Sequence, residues 1–218
     1  MYTLREAVKN LLHAKPFLEE ALNEGLINIS ALSRTMKSDI EKIIGQETNE
    51  GAIVMAIKRM EPSVDIIVKN KLSAYLKSHG DTVVRSDLLD YTFKNSPTLL
   101  LSQAKFLSSI ANENVGFSAM SRGLKETAIV ISKSLEPNLL EAFKNEVVEL
   151  KTENLGCITL QLPSSNNQIY GVYYYLFKSI AEWGINVVEA ISTTNEISII
   201  IKDDDIEKTF SVLNKIKR

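Results

Sequence analysis

Between Glu196 and Lys202, isoleucine returns at every second position, as Ile197, Ile199 and Ile201. A period of two over seven residues is the signature of a strand with one buried face. The flanks restrict the choice of fold further. Upstream, Cys157–Leu162 alternates with Ile158, Leu160 and Leu162 on one face, and a polar loop, Pro163–Gln168, follows. Val172, Leu176 and Ile180 then recur at fourth positions, the helical period, until Gly184 stops the run. Ile185–Ser192 reads as a second strand. After Lys202, the acidic turn Asp203-Asp204-Asp205 caps a last helix with Ile206, Phe210, Leu213 and Ile216 along one stripe. The order over 155–218 is strand, helix, strand, strand, helix.

That order occurs a second time, upstream. Thr82–Phe93 is extended with Leu89, Tyr91 and Phe93 alternating, and Ser96-Pro97 is expected to start a helix in which Leu100, Ala104, Leu107 and Ala111 are in register. Gly116–Met120 and Thr127–Ser132 read as strands joined by the turn Ser121-Arg122-Gly123. Glu136-Pro137 opens a helix to about Asn145, and Val147–Lys151 reads as a separate fourth strand. The middle is therefore a divergent copy of the end, and duplications of this kind commonly pack as pseudo-symmetric pairs.

The front of the chain is helical throughout. Thr3 and Glu6 have capping-box spacing ahead of Leu4, Val8, Leu11 and Leu12, and Pro16 opens a second helix that Gly25 ends. A third helix is expected from Ser30 to Met36, with Lys37-Ser38-Asp39 leading into a fourth that ends near Gly45. A fifth, Ala52–Met60, would turn Ile53, Ala56, Ile57 and Met60 to a core. Val64–Lys77 suits a connecting helix, and Ser78-His79-Gly80-Asp81 is the expected domain boundary. Short helices joined by tight turns resemble a helix-turn-helix or winged-helix module, whose DNA contacts would fall to Arg34, Lys37, Lys58 and Arg59. Against this, Glu41, Glu47, Glu50 and Glu61 surround the would-be recognition helix, where a DNA reader carries mainly Lys, Arg, Asn or Gln. A dimerising or docking role is the alternative.

Several classes are disfavoured by the chemistry on offer. A formal charge of -2 over 218 residues argues against a protein that coats nucleic acid. No run of about eighteen apolar residues and no basic-then-apolar leader is present, so a cytoplasmic protein without membrane association is expected. The lone Cys157 lies within a strand and reads as a packed thiol in a reducing compartment. Gly25, Gly45 and Gly51 stand singly, with no glycine-rich loop for phosphoryl transfer. His13 and His79, the two histidines, form no triad and no metal set, so catalytic residues, metal ligands and cofactors are all expected to be none.

The segment Trp183-Gly184-Ile185-Asn186-Val187-Val188-Glu189-Ala190-Ile191-Ser192-Thr193-Thr194-Asn195-Glu196, the isoleucine strand after it and the acidic turn resemble the regulatory ACT domains that end aspartate kinases. The likeness covers about 155–217; the middle repeat shares the topology only. The implied fold is α+β: a helical, winged-helix-like domain (1–79), a degenerate ACT-like repeat (80–153) and a second ACT domain (154–218), the repeats each ferredoxin-like βαββαβ. The family implies a pair of ACT domains that bind a small amino acid at their interface and respond by a change of association. Its ligand usually sits against the loop between first strand and first helix, where a glycine admits it; here that is Gly171, with Tyr170 where many members have proline. The implied ligand-binding set is Ser165, Asn166, Asn167, Gln168, Ile169, Tyr170, Gly171 and Val172, joined by Ser192 and Thr193. For Asn166, Asn167 and Gln168 a plain polar turn is the competing reading. The corresponding loop of the middle repeat, Phe93–Thr98, is short and lacks glycine, so its site is expected to be damaged. The chain ends after the last helix, leaving the second repeat without a fourth strand; Glu146–Glu153 could be exchanged, or the sheet could be one strand short. The expected function is a non-enzymatic amino-acid sensor that forms a homo-oligomer through its ACT sheets. An amino-acid-responsive DNA-binding regulator and a docking partner of a separate biosynthetic enzyme are the alternatives.

Overall fold

Helix α1 (Leu4–His13) begins with the capping box its sequence predicts. Glu6 N donates to Thr3 Oγ1 at 3.3 Å while Thr3 N donates to the Glu6 carboxylate at 2.8 Å, an arrangement that adds about 1 kcal/mol to a helix end. Helix α2 (Pro16–Asn23) is followed by Gly25 with φ of 73°. The expected third and fourth helices are one continuous helix, α3 (Ile29–Ile44). Lys37-Ser38-Asp39 contains neither proline nor glycine, and Met36 and Ile40, four apart, bury on the same face across it, so nothing there breaks the helix. Asn28 rather than Ser30 caps it, accepting from Ala31 N at 3.1 Å, and Gly45 closes it in the left-handed region. Helix α4 (Glu50–Lys58) starts two residues earlier than expected because Asn49 accepts from Ala52 N at 2.7 Å. Val8, Leu12, Leu32, Met36, Ile40, Ile44, Ile53 and Ile57 form the core of this unit, with Ala56 and Met60 partly buried beside it.

The computed structural model describes residues 2–60, 74, 81–111, 116–162 and 171–216, and divides the chain into two units, Met1–Asn70 and Lys71–Arg218. The connecting helix expected over Val64–Lys77, of which only Ala74 is described, and the turn at Ser78-His79-Gly80 lie outside the described residues. Among the described residues the first unit contains helices and no strand.

The second unit runs β1 (Thr82–Lys94), α5 (Leu99–Ile110), β2 (Ser118–Arg122), β3 (Glu126–Ser132), a 3₁₀ turn (Lys133–Leu135), α6 (Glu136–Ala142) and β4 (Val148–Gln161). It continues with α7 (Val172–Ala181), β5 (Glu189–Ser192), β6 (Glu196–Lys202), a second 3₁₀ turn (Asp203–Asp205) and α8 (Ile206–Ile216). The strands form one antiparallel sheet in the order β2-β3-β1-β4-β6-β5. The two strands expected at Val147–Lys151 and Cys157–Leu162 are a single strand of 14 residues, and Asn154 within it has φ of 56°. Asp87 holds the same conformation in β1, with φ of 55°. Each left-handed residue lies in a bulge. Leu88 opposes Leu155, yet two residues separate Arg85 from Leu88 where one separates Cys157 from Leu155, and the imbalance reverses between Leu88–Asp90 and Thr152–Leu155. Asp and Asn are among the few L-residues that tolerate this region.

The bulges divide both strands between the halves of the sheet. Residues 90–93 of β1 pair with 148–152 of β4 beside α5 and α6, whereas residues 82–85 pair with 157–160 beside β6. The fourth-strand place beside residues 157–160 is thus taken by the start of β1, not by Glu146–Glu153, which serves the first half.

Helix packing follows the alternation. In the first half Leu89, Tyr91, Phe93, Ile129 and Ile131 bury against Leu99, Phe106, Leu139 and Phe143, and the Phe93 and Phe143 rings stand 4.5 Å apart. Tyr91 Oη donates to Glu136 at 2.5 Å and Lys151 pairs with the same carboxylate at 2.8 Å, joining β1, α6 and β4. In the second half Ile158, Leu160, Ile197, Ile199 and Ile201 are buried, as are Val172, Leu176 and Ile180 of α7. The stripe of α8 is Thr209, Val212, Leu213 and Ile216; Phe210, expected in it, is 37% exposed because it lies about 100° round the helix from Thr209, at the margin of that stripe. Gly156 stands where α8 meets the sheet: a Cβ there would come within 2.6 Å of Ile206 Cδ1 and 2.8 Å of Asp203 Oδ1. Gly156→Ala is expected to cost about 1–3 kcal/mol through overpacking, measured by urea denaturation.

A second apolar cluster, Leu88, Val130, Leu155, Cys157 and Ile200, adjoins a buried carboxylate. Asp90 is 5% exposed and its Oδ1 has no hydrogen-bond partner among the described residues. Burial, and then the like charge of Glu189, push it from the ordinary 3.8 up to about 6. The native state therefore holds this proton more tightly than the unfolded chain. The resulting destabilisation is absent below 3.8, grows as pH rises to about 6 and is complete above that. The stability advantage of Asp90→Asn over the wild type should grow by about 2–3 kcal/mol from acid to neutral pH, read from urea midpoints at the two ends.

Candidate functional site

Helix α7 begins at Gly171, whose φ of 89° and ψ of 0° suit glycine far better than any other residue. As N-cap residue Gly171 has no side chain with which to cap the helix, and the first intrahelical bond runs from Tyr175 N to Gly171 O at 2.9 Å. Open N–H groups at a helix start carry a partial positive charge and favour a carboxylate. Val172, the next residue, is 2% exposed and belongs to the core beneath the site.

The turn between β5 and β6 faces this helix start. Thr193 N donates to Glu196 O at 2.9 Å, which closes the turn, and Ser192 Oγ lies 3.0 Å from both Thr193 O and Glu196 O. Tyr173 Oη is 2.7 Å from the same Ser192 oxygen. A serine hydroxyl has one proton, and the carbonyls can only accept, so Ser192 donates to a carbonyl and Tyr173 donates to Ser192. Leu162 N donates to Asn195 O at 2.6 Å, bringing the end of β4 to the same turn. Of the expected ligand set, Gly171, Val172, Ser192 and Thr193 are therefore gathered at one end of the sheet. Ser165, Asn166, Asn167, Gln168, Ile169 and Tyr170 lie outside the described residues.

Tyr173 is the addition the sequence reading missed. The run Tyr173-Tyr174-Tyr175 reads as helix packing, yet Tyr173 is 40% and Tyr174 47% exposed. The available signal was position: Tyr173 falls in the first turn after the glycine, at the edge of the Val172–Leu176–Ile180 stripe. Among the described residues no cluster of three or more His, Cys, Asp or Glu side chains could hold a metal ion. No helix among them is long and apolar enough to cross a membrane.

Two of the four cations considered for DNA stand beside acids. Arg34 stands 3.9 Å from Glu50 and Lys37 stands 3.6 Å from Glu41, exposed pairs worth about 0–1 kcal/mol each. Lys58 and Arg59 are exposed at the end of α4.

No protein-family model matches the chain, and neither does any curated protein sequence. Solved structures do match. The aspartate kinase of Clostridium acetobutylicum aligns with a TM-score of 0.52 at 14% identity, over 63% of this chain and 34% of the kinase. The ligand-free regulatory subunit of aspartate kinase from Thermus thermophilus gives 0.50 at 14% identity, over 62% of this chain and 97% of the subunit. The corresponding subunit from Thermus flavus gives 0.50 at 14% identity, over 63% and 97%. The chain thus spans about a third of the length of the complete kinase and nearly all of either regulatory subunit. The fold it shares is that of aspartate-kinase regulatory domains, of the ACT type, including chains that consist of the regulatory subunit alone.

Because Tyr173 and Ser192 are both partly exposed, the bond between them should be weak. A double-mutant cycle of Tyr173→Phe and Ser192→Ala in urea is expected to give a coupling of about 0.5–1 kcal/mol.

Proposed function

We propose that this chain is a non-catalytic regulatory protein that senses a small amino acid through a pair of ACT-type βαββαβ repeats. The observation that carries the reading is the α7 start: a left-handed Gly171, which brings no side chain of its own to the helix end, set beside the Ser192–Thr193 turn. The ligand's carboxylate takes the helix N–H groups, and carbonyls at the turn and strand end take its ammonium. Residues 165–170, with two asparagines and a glutamine, complete the contact. Support for the class comes from the shared fold with kinase regulatory subunits that occur without a catalytic domain.

Homo-oligomerisation belongs to the same reading. Val83 and Leu150, 43% and 58% exposed, stand in register with Thr159 and Thr92 on the sheet face turned away from the helices, apolar positions suited to sheet-to-sheet association. The response is delivered through the helical unit or a separate partner enzyme. A DNA-reading role for that unit is disfavoured by the acids paired with Arg34 and Lys37.

A thermal-shift screen of the proteinogenic amino acids tests the central claim. At one hundred times its dissociation constant the right ligand adds about 2.7 kcal/mol, and a plain rise in Tm is expected for one or a few of them. Gly171→Ala should abolish that rise while costing only about 1–2 kcal/mol of stability, because the left-handed conformation is strained in an L-residue. A wild-type protein that no amino acid stabilises at millimolar concentration would sink the reading.

A further inference from the structure

The helices that open the two halves of the sheet unit start differently. At α7 the N-cap residue is Gly171, which has no side chain to place there. At α5, three hydroxyls converge on one carboxylate: Ser96 Oγ, Thr98 Oγ1 and Ser102 Oγ donate to Glu146 at 2.5, 2.9 and 2.8 Å. Glu146 comes from the turn between α6 and β4, far along the chain. Thr98 holds the N-cap position of α5 but makes no side-chain bond to the helix's own N–H groups; its hydroxyl is committed to Glu146. The expected cap, Ser96, accepts from Thr98 N at 3.2 Å, and its hydroxyl lies 3.1 Å from Thr98 Oγ1. Burial alone would raise the Glu146 carboxyl, but the bonds from Ser96, Ser102 and Thr98 outweigh it and hold the group below the ordinary carboxylate value. Glu146 is therefore an anion at neutral pH, held by three donors that would otherwise face solvent. A cavity of about 540 Å³, lined in part by Thr98, Ser102, Lys105, Asn138 and Glu146, opens beside it.

We propose that Glu146 is an intramolecular ligand: it places a carboxylate of the chain itself at the start of α5 and so closes the first half of the sheet unit to any free amino acid. This rests on the reading that the α7 start is where the second half takes a ligand. Each chain then takes one amino acid, at α7. The α5 end stays in its occupied arrangement whether or not that ligand is present.

Chemical rescue tests it. Glu146→Ala removes the carboxylate and leaves its donors beside an open cavity. Its Tm should fall by several degrees, and tens of millimolar acetate or formate should restore most of the loss, where sodium chloride of equal ionic strength does not. Glu146→Gln, which fills the space without the charge, should be destabilised and not rescued. Adding Thr98→Val to Glu146→Ala should remove the rescue. A Glu146→Ala protein as stable as the wild type, or one that carboxylates raise no more than chloride does, overturns the inference. Should that variant fail to fold in plain buffer, refolding yield in acetate against chloride answers the same question with the same two outcomes. An unrescued Glu146→Ala in a protein that an amino acid does stabilise defeats this inference alone. Rescue in a protein that no amino acid stabilises defeats the α7 reading alone.

Discussion

The antiparallel pairing of β1 with β4 is the contact on which the sheet unit depends. Both strands lie at the centre of the sheet, both exceed a dozen residues, and both pass through a left-handed residue, Asp87 or Asn154, at the same point of the ladder. Each bulge resets which side chains face the helices. Leu89, Tyr91 and Phe93 can therefore serve one helical layer and Ile158 and Leu160 another within one continuous ladder. Leu88 and Leu155, opposite each other beside the bulges, are 1% and 0% exposed and hold the crossing point together.

Local pattern was enough for most elements, and it failed where the deciding contact was long-range. The Thr3–Glu6 capping box, the Gly45 stop, the Ile197–Ile201 alternation and the Val172–Leu176–Ile180 stripe are local, and all were legible. The join of Val147–Lys151 to Cys157–Leu162 was not, because the boundary between the repeats was placed at 153/154, where the chain continues as strand only through the partner strand across it. The same reason hid the role of Thr82–Arg85: nothing in that segment says it completes the sheet beside residues 157–160. The break placed at Lys37-Ser38-Asp39 was an error of another kind, polar residues being taken for a stop where Met36 and Ile40 already shared a face.

For the site, glycine and turn chemistry pointed to Gly171 and to Ser192–Thr193, because a left-handed residue and a tight turn have sequence signatures. Their convergence had none. It depends on Tyr173, an aromatic whose apparent task was packing and whose hydroxyl instead reaches Ser192. Glu146 was hidden for the same reason. As one of many acids in a charged chain it has no local mark, and only the fold brings Ser96, Thr98 and Ser102 to it.

The two long strands also set the mechanical character of the unit. Two domains on a linker can swing as beads on a string, at little elastic cost. Here no linker separates the halves within the ladder, since each contributes a length of strand to the other. Any reorientation must be taken up as torsion at Asp87 and Asn154, the two joints where the ladder is already irregular. The unit therefore behaves as a single sprung plate with one crease, in which a load applied at either end is felt along the same pair of strands.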